Sequence, residues 1–192
     1  MGGLGKITLA QLAYKHEKIL NHFDKKIWVC VSNPFDAMKV AKAVIVEIEG
    51  NTPNIDDLES LVQKICKCIE GKKFLLILDD VWTDDKRKWE NLKQPLQYGA
   101  RGSKILMTTR KEKVAIMMGV SSSTISVDVL SEEHSWVIFK QHAFLERREE
   151  KLKHLEEIGR NIARRSNGLP LVAKSLGSLI CFKRTRSQWV DC

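Results

Sequence analysis

Phe74-Leu75-Leu76-Ile77-Leu78-Asp79-Asp80-Val81-Trp82 is the stretch whose reading decides the fold. Five consecutive apolar residues leave no polar face, so the segment predicts a strand buried on both sides, as a helix-covered parallel sheet requires. Two carboxylates close it. Outward from this strand, residues 103–109 (Ser-Lys-Ile-Leu-Met-Thr-Thr) read as another, entered through the turn Gly99-Ala100-Arg101-Gly102. Residues 26–32 (Lys-Ile-Trp-Val-Cys-Val-Ser) read as a third, closed by Asn33-Pro34, and alternation over 124–129 predicts the last strand of the sheet.

Helical patterns separate these strands. Leu9, Leu12, Ala13, Ile19, Leu20 and Phe23 fall on one helical stripe. Met38, Ala41, Ile45 and Ile48 mark a second helix. Leu58, Leu61, Val62, Ile65 and Ile69 mark a third, opened by Asp56 with Glu59 in capping-box register. Strands alternating with helices predict an α/β fold whose parallel sheet is sandwiched by crossover helices.

After Leu130 the strand patterns stop. Ser131 reads as the N-cap of a helix carrying Trp136, Phe139 and Ala143. A further helix carries Leu152, Leu155, Ile158 and Ile162 and ends near Ser166-Asn167-Gly168, where Gly168 can turn left-handed. Pro170 then opens a helix with Leu171, Leu176, Leu179 and Ile180 inward. The expected division is an α/β domain over 1–129 and the start of an all-α subdomain over 130–192.

Bulk properties exclude several classes of function. A hydrophobic content of 43% in 192 residues supports a real core and argues against disorder. The longest apolar runs are far too short to span a bilayer, and the first residues lack the apolar stretch of a signal peptide. Five cysteines, Cys30, Cys66, Cys68, Cys181 and Cys192, show no metal-ligand pairing with histidine and fit reduced thiols in the cytoplasm or nucleus. The net charge of +8 invites a nucleic-acid reading, but bases and acids interleave, as in Glu146-Arg147-Arg148-Glu149-Glu150-Lys151. Only the tail, Lys183-Arg184 with Arg186, is one-signed, and no aromatic ladder accompanies it, so no nucleic-acid partner is expected.

Gly2-Gly3-Leu4-Gly5-Lys6 supplies the chemistry. Glycines let backbone N–H groups curl around phosphate oxygens, and the helix that follows points its positive end at them. Lys6 adds a mobile charge for the outer phosphates. The full phosphate-loop signature, G-x-x-x-x-G-K-[ST], needs a glycine ahead of Met1 and a hydroxyl after the lysine. Ile7 stands at that hydroxyl position and cannot ligate magnesium; Thr8 lies one residue on, turned about 100° around the helix. Asp79 and Asp80 end a greasy strand downstream, which is where a carboxylate meets the magnesium beside the phosphates.

Read in order, the blocks at 2–9, 23–32, 74–82, 102–110, 130–144 and 168–171 resemble the successive motifs of the NB-ARC family, over essentially the whole chain. Plant disease-resistance proteins look most similar, through Leu78-Asp79-Asp80-Val81-Trp82 and Asn167-Gly168-Leu169-Pro170-Leu171, and Trp82 resembles the coiled-coil class rather than the TIR class. The resemblance implies a P-loop NTPase sheet whose first, central strand is missing from this chain, as a motif-bounded fragment would show. It implies binding of ADP or ATP by Gly2, Gly3, Leu4, Gly5, Lys6, Ile7 and Thr8, with Arg110 sensing the terminal phosphate and Pro170 packing against base and ribose. Asp79 matches the carboxylate that holds Mg2+, in a site weakened by Ile7, and Asp80 matches the acid that activates water. The implied role is a nucleotide switch in plant immunity, hydrolysing ATP slowly at most, with coiled-coil and leucine-rich repeat domains as partners and oligomerisation on activation. Two other readings stay open: a P-loop ATPase of another class, and a non-binding relic that serves only as an interaction surface.

Overall fold

The structure, a computed structural model, describes residues 1–31, 33–117, 124–144, 152–183 and 185–190. Ser32, Arg184, Cys192 and the mixed-charge run at 146–151 lie outside the described residues. The chain forms two compact units, one of residues 7–125 and one of residues 1–6 with 126–192.

In the first unit β1 (Lys25–Cys30), β2 (Phe74–Val81) and β3 (Lys104–Thr109) make a parallel sheet in the order β1-β2-β3. The apolar run of β2 explains its central place. Phe74, Leu76 and Leu78 pack into one core with Val44 and Ile45 of α3 (Ala37–Glu49), Leu61 and Ile65 of α4 (Leu58–Ile69) and Trp89 of α5 (Lys86–Lys93). Leu75 and Ile77 face the opposite way, against Ala10 of α1 (Lys6–Lys15), Ile19 of α2 (Glu17–Leu20) and Phe23. Both faces are therefore covered, and each buried side chain of β2 contributes about 2 kcal/mol. A short helix α6 (Glu112–Met117) follows β3.

Several local expectations give way. The stripe through Leu9, Leu12, Ala13 and Leu20 is exposed, and Ala10, Tyr14, Ile19 and Phe23 face the sheet instead. The helix breaks at His16, whose Nδ1 accepts the Lys18 N–H at 3.2 Å and caps α2, so one continuous stripe is not formed. Asp57, not Asp56, caps α4 by accepting the Ser60 N–H at 2.7 Å; Asp56 pairs with Lys42 at 3.2 Å. Residues 124–129 carry no strand, and Ile125 is 82% exposed. Alternation specifies a strand only where a neighbour supplies the ladder, and the described sheet ends at β3. β3 itself is half-exposed, with Lys104 and Ile105 at the surface, because it lies at the edge.

The second unit is helical: α7 (Glu132–Ala143), α8 (Leu152–Arg164), α9 (Pro170–Cys181) and α10 (Arg186–Val190). Ser131 caps α7 through the His134 N–H at 3.2 Å, Asn167 and Gly168 both turn left-handed, and Pro170 is the first residue of α9. Trp136, Phe139, Phe144, Leu155, Ile180 and Trp189 form the core. Leu171 and Leu179 were expected inward but are exposed; α9 buries its small-residue face, Ala173 and Gly177, against α7. A Cβ on Gly177 would stand 2.6 Å from the Phe139 carbonyl oxygen, so only glycine permits this approach. Arg160 ties α8 to α7, donating to Glu133 at 2.7 Å and lying over the Trp136 ring at 5.1 Å. The cysteines Cys30, Cys66 and Cys68 are free thiols. Among the described residues no helix is long and apolar enough to cross a membrane.

Candidate nucleotide site

The carboxylates sit at the C-terminal ends of the parallel strands, the edge at which open α/β sheets bind ligands. β2 and β3 run in step to Leu78 opposite Met107 and pair again at Val81 opposite Thr109. Asp79 and Asp80 thus stand against the single residue Thr108, and the strand bulges. Asp80 takes a φ of 55°, a left-handed conformation that Asp tolerates better than most residues. Thr108 closes the bulge: its hydroxyl accepts the Asp80 N–H at 2.9 Å and donates to Asp79 Oδ1 at 2.5 Å. Asp79 is only 5% exposed, and such a charge-assisted bond is what a buried carboxylate requires. Cys30, its register partner on β1, donates its thiol to Asp79 Oδ2 at 3.9 Å.

Arg110 follows β3 directly. Its Nε and Nη2 donate to Asp80 Oδ1 and Oδ2 at 3.2 and 3.3 Å, a two-pronged carboxylate contact. Its guanidinium carbon lies 5.0 Å from the centre of the Trp82 ring. The chain is fixed between these residues by Thr109, whose hydroxyl donates to the Val81 carbonyl at 2.8 Å.

The glycine loop belongs to the helical unit. Gly3 and Gly5 have φ of 78° and 89°, values that strain any residue with a Cβ. The Leu171 N–H donates to the Gly3 carbonyl at 3.3 Å, and a Cβ on Gly3 would stand 3.4 Å from Leu171 Cβ. A Cβ on Gly5 would lie 4.0 Å from Pro170 Cγ. Lys6 Nζ donates to the Met1 carbonyl at 2.7 Å, folding back along the loop. Gly2 and Leu4 are half-buried. Ile7 and Thr8 lie in the first turn of α1 and are exposed, Ile7 by 43%.

These residues fit the groups the resemblance implies, to different degrees. Alternate left-handed glycines leading into a helix are the backbone form of a phosphate cradle. For magnesium the candidate carboxylate is Asp79, which after accepting from Thr108 and Cys30 keeps acceptor capacity. Ile7 offers no oxygen, and among the described residues no three His, Cys, Asp or Glu side chains converge as a metal cluster. Magnesium commonly takes one or two carboxylates and completes its shell with phosphate and water, so a single carboxylate such as Asp79 is compatible with it.

The expected residues therefore form two groups: Asp79, Asp80 and Arg110 in the sheet unit, and Gly3, Gly5, Lys6 and Pro170 in the helical unit. The sequence did not reveal Thr108 and Cys30 as the partners of Asp79, or Trp82 as the surface beneath Arg110. The signal that finds them is strand register, which sets Cys30 beside Asp79 and Thr108 against the bulge.

Comparison with known proteins bears on the same residues. A family model described as the NB-ARC domain matches residues 1–149. The chain is 45% identical over 189 residues to a putative disease resistance protein RGA4 of Solanum bulbocastanum, covering 98% of this chain and 19% of that protein. It is 44% identical over 191 residues to disease resistance protein RGA2 of the same species, with 98% and 19% covered. With disease resistance protein RPM1 of Arabidopsis thaliana it shares 34% over 198 residues, covering 98% and 21%. The chain thus spans about a fifth of the length of these relatives.

Proposed function

The chain belongs to the NB-ARC family, and from that premise we propose that it is the nucleotide-binding switch module of a plant disease-resistance protein, holding ADP at rest and ATP when active. One observation carries the reading: the bulge at Asp79-Asp80 sets a buried carboxylate beside an arginine fork at the strand ends. A structural ion pair alone would not need Asp79 buried and aimed by a hydroxyl.

Each residue then has a task. The backbone around Gly3 and Gly5 receives phosphate oxygens, with Gly2 and Leu4 completing the loop. Lys6 exchanges the Met1 carbonyl for the outer phosphates. Pro170 packs against base and ribose. Arg110 leaves Asp80 for the terminal phosphate that ATP has and ADP lacks, and that difference in contact biases the state of the module. Asp79 would hold Mg2+, and the ion would neutralise phosphate charge. Asp80 orients the attacking water. Ile7 deprives the ion of its tether to the loop, so hydrolysis is slow at most. The proposal extends to a domain division at 129/130, to a coiled-coil class marked by Trp82, and to coiled-coil and leucine-rich repeat domains elsewhere in the longer protein. It also includes oligomerisation on activation and residence in the cytoplasm.

Titration with fluorescent ADP, in magnesium and in chelator, tests the reading. The expected result is ADP binding with a small magnesium dependence, which Ile7→Thr enlarges about tenfold, or about 1.4 kcal/mol. Binding that is absent in both conditions returns the chain to a relic. An equal magnesium ratio in both variants removes Ile7 from the metal site.

A further inference from the structure

We propose that Trp82 and Asp80 set how strongly Arg110 discriminates a terminal phosphate, and so fix this chain's preference between ATP and ADP; the inference rests on the reading above. Three contacts define where the guanidinium sits. Its central carbon lies over the Trp82 ring at 5.0 Å, and its Nε and Nη2 fork onto both carboxylate oxygens of Asp80 at 3.2 and 3.3 Å. Trp is the strongest aromatic partner for a cation, and Arg the cation most often found over it.

The frame around the guanidinium is fixed. Asp80 is held in its left-handed conformation by the bond from its N–H to Thr108. Thr109 fastens the chain just before Arg110 to the Val81 carbonyl at 2.8 Å, between Asp80 and Trp82. Both ends of the Arg110–Asp80 contact are therefore set by backbone, and Trp82 lies on the same short segment as Asp80.

The two neighbours act in opposite directions. Asp80 uses Nε and Nη2 and leaves Nη1 uncommitted to it, so it competes with a phosphate for part of the same donor edge. The pair is 40% and 35% exposed, and an exposed ion pair is weak enough for a phosphate dianion to displace. Trp82 attracts the cation without accepting a hydrogen bond from it, so this contact survives whichever anion holds the N–H donors. Asp80 therefore holds Arg110 back from phosphate, and Trp82 keeps it near. The sequence marked Trp82 only as a family feature; the geometry makes it a positioning residue. The Lys111 ammonium lies 5.9 Å from the centre of the same ring, farther than Arg110.

The test is the ratio of ATP to ADP affinity in the 192-residue chain, by competition against fluorescent ADP in chelator. Asp80→Asn should tighten ATP about threefold and leave ADP unchanged, because the competing charge is gone. Trp82→Ala should weaken ATP about threefold with ADP unchanged, and Trp82→Phe should recover part of the loss. In an Arg110→Ala background both effects should vanish, because each acts through that side chain. Equal changes in ATP and ADP, or effects that persist without Arg110, overturn the proposal. An Arg110→Ala ratio that differs from wild type, with Trp82 and Asp80 variants silent, sinks this inference alone. A chain that binds neither nucleotide, or a ratio insensitive to Arg110, sinks the functional reading as well.

Discussion

Replacing Thr108 by valine keeps the shape of the side chain and removes one hydroxyl, which makes it a clean probe of the bulge. That hydroxyl makes two bonds, one donated to a carboxylate that is 5% exposed and one accepted from the Asp80 N–H. A hydrogen bond to a charged group contributes about 1.5–3 kcal/mol and a neutral one about 1 kcal/mol. The Cys30 thiol, a weak donor at 3.9 Å, offsets little of the first loss. Thr108→Val should therefore destabilise the sheet unit by about 3 kcal/mol, which lowers the urea midpoint by about 1.5 M at a slope of about 2 kcal/mol/M. Thr108→Ser keeps the hydroxyl and should cost about 1 kcal/mol, the value of the lost methyl. The assay is urea unfolding followed by far-UV circular dichroism. An Asp79→Asn, Thr108→Val double mutant should show coupling of at least about 1 kcal/mol. Valine within about 0.5 kcal/mol of wild type, or serine as damaging as valine, would refute the argument that this hydroxyl supports a buried charge.

Gly177→Ala should destabilise the helical unit by about 2–3 kcal/mol, because its Cβ meets backbone at Phe139, which cannot give way as a side chain would; thermal unfolding of the variant checks this. The N–H of Ser60 bonded to Asp57 holds that carboxyl below its ordinary value of 3.8. A depressed value contributes stability that is present above 3.8 and lost as pH falls through the folded value. Asp57→Asn should keep the cap but lose this acid dependence, whereas Asp57→Ala should lower the melting temperature at neutral pH; melting from pH 7 to 2 separates them. Ile105→Lys should suppress aggregation of the chain, since it places charge on the exposed edge strand β3, and light scattering at rising concentration reads the effect.

What the sequence made legible follows from what each element depends on. Residues 74–78 could be read without a partner, because burial on both faces leaves an unbroken apolar run whatever lies beside it. Residues 124–129 could not, because their alternation becomes a strand only through a neighbour's hydrogen bonds. The α1 stripe misled for a related reason: Leu9 and Leu12 are apolar yet exposed, while the short side chain of Ala10 makes the contact with the sheet. The helix α5, Lys-Arg-Lys-Trp-Glu-Asn-Leu-Lys, went unseen because only Trp89 and Leu92 carry its buried face. In the candidate site, residues bearing charge or backbone freedom could be picked out singly: Gly3, Gly5, Lys6, Asp79, Asp80 and Arg110. Residues that matter through pairing could not, since Cys30, Thr108 and Trp82 acquire meaning only from register and from the extra residue in β2.

The central claim is that the glycine loop and Lys6 hold the phosphates of a nucleotide. The direct measurement is ADP affinity of the wild-type chain against Lys6→Ala, by equilibrium titration in chelator so that the metal plays no part. Lys6 donates to the Met1 carbonyl within the loop, at the chain surface, so its removal should leave the circular dichroism spectrum unchanged. The account predicts saturable ADP binding by the wild type and a loss of at least about tenfold in the variant, or about 1.4 kcal/mol for one charge-assisted contact. ATP should weaken in parallel, since both nucleotides present the β-phosphate to this lysine. Equal ADP affinity in the two proteins, with both folded, would contradict the assignment of this loop as the phosphate site.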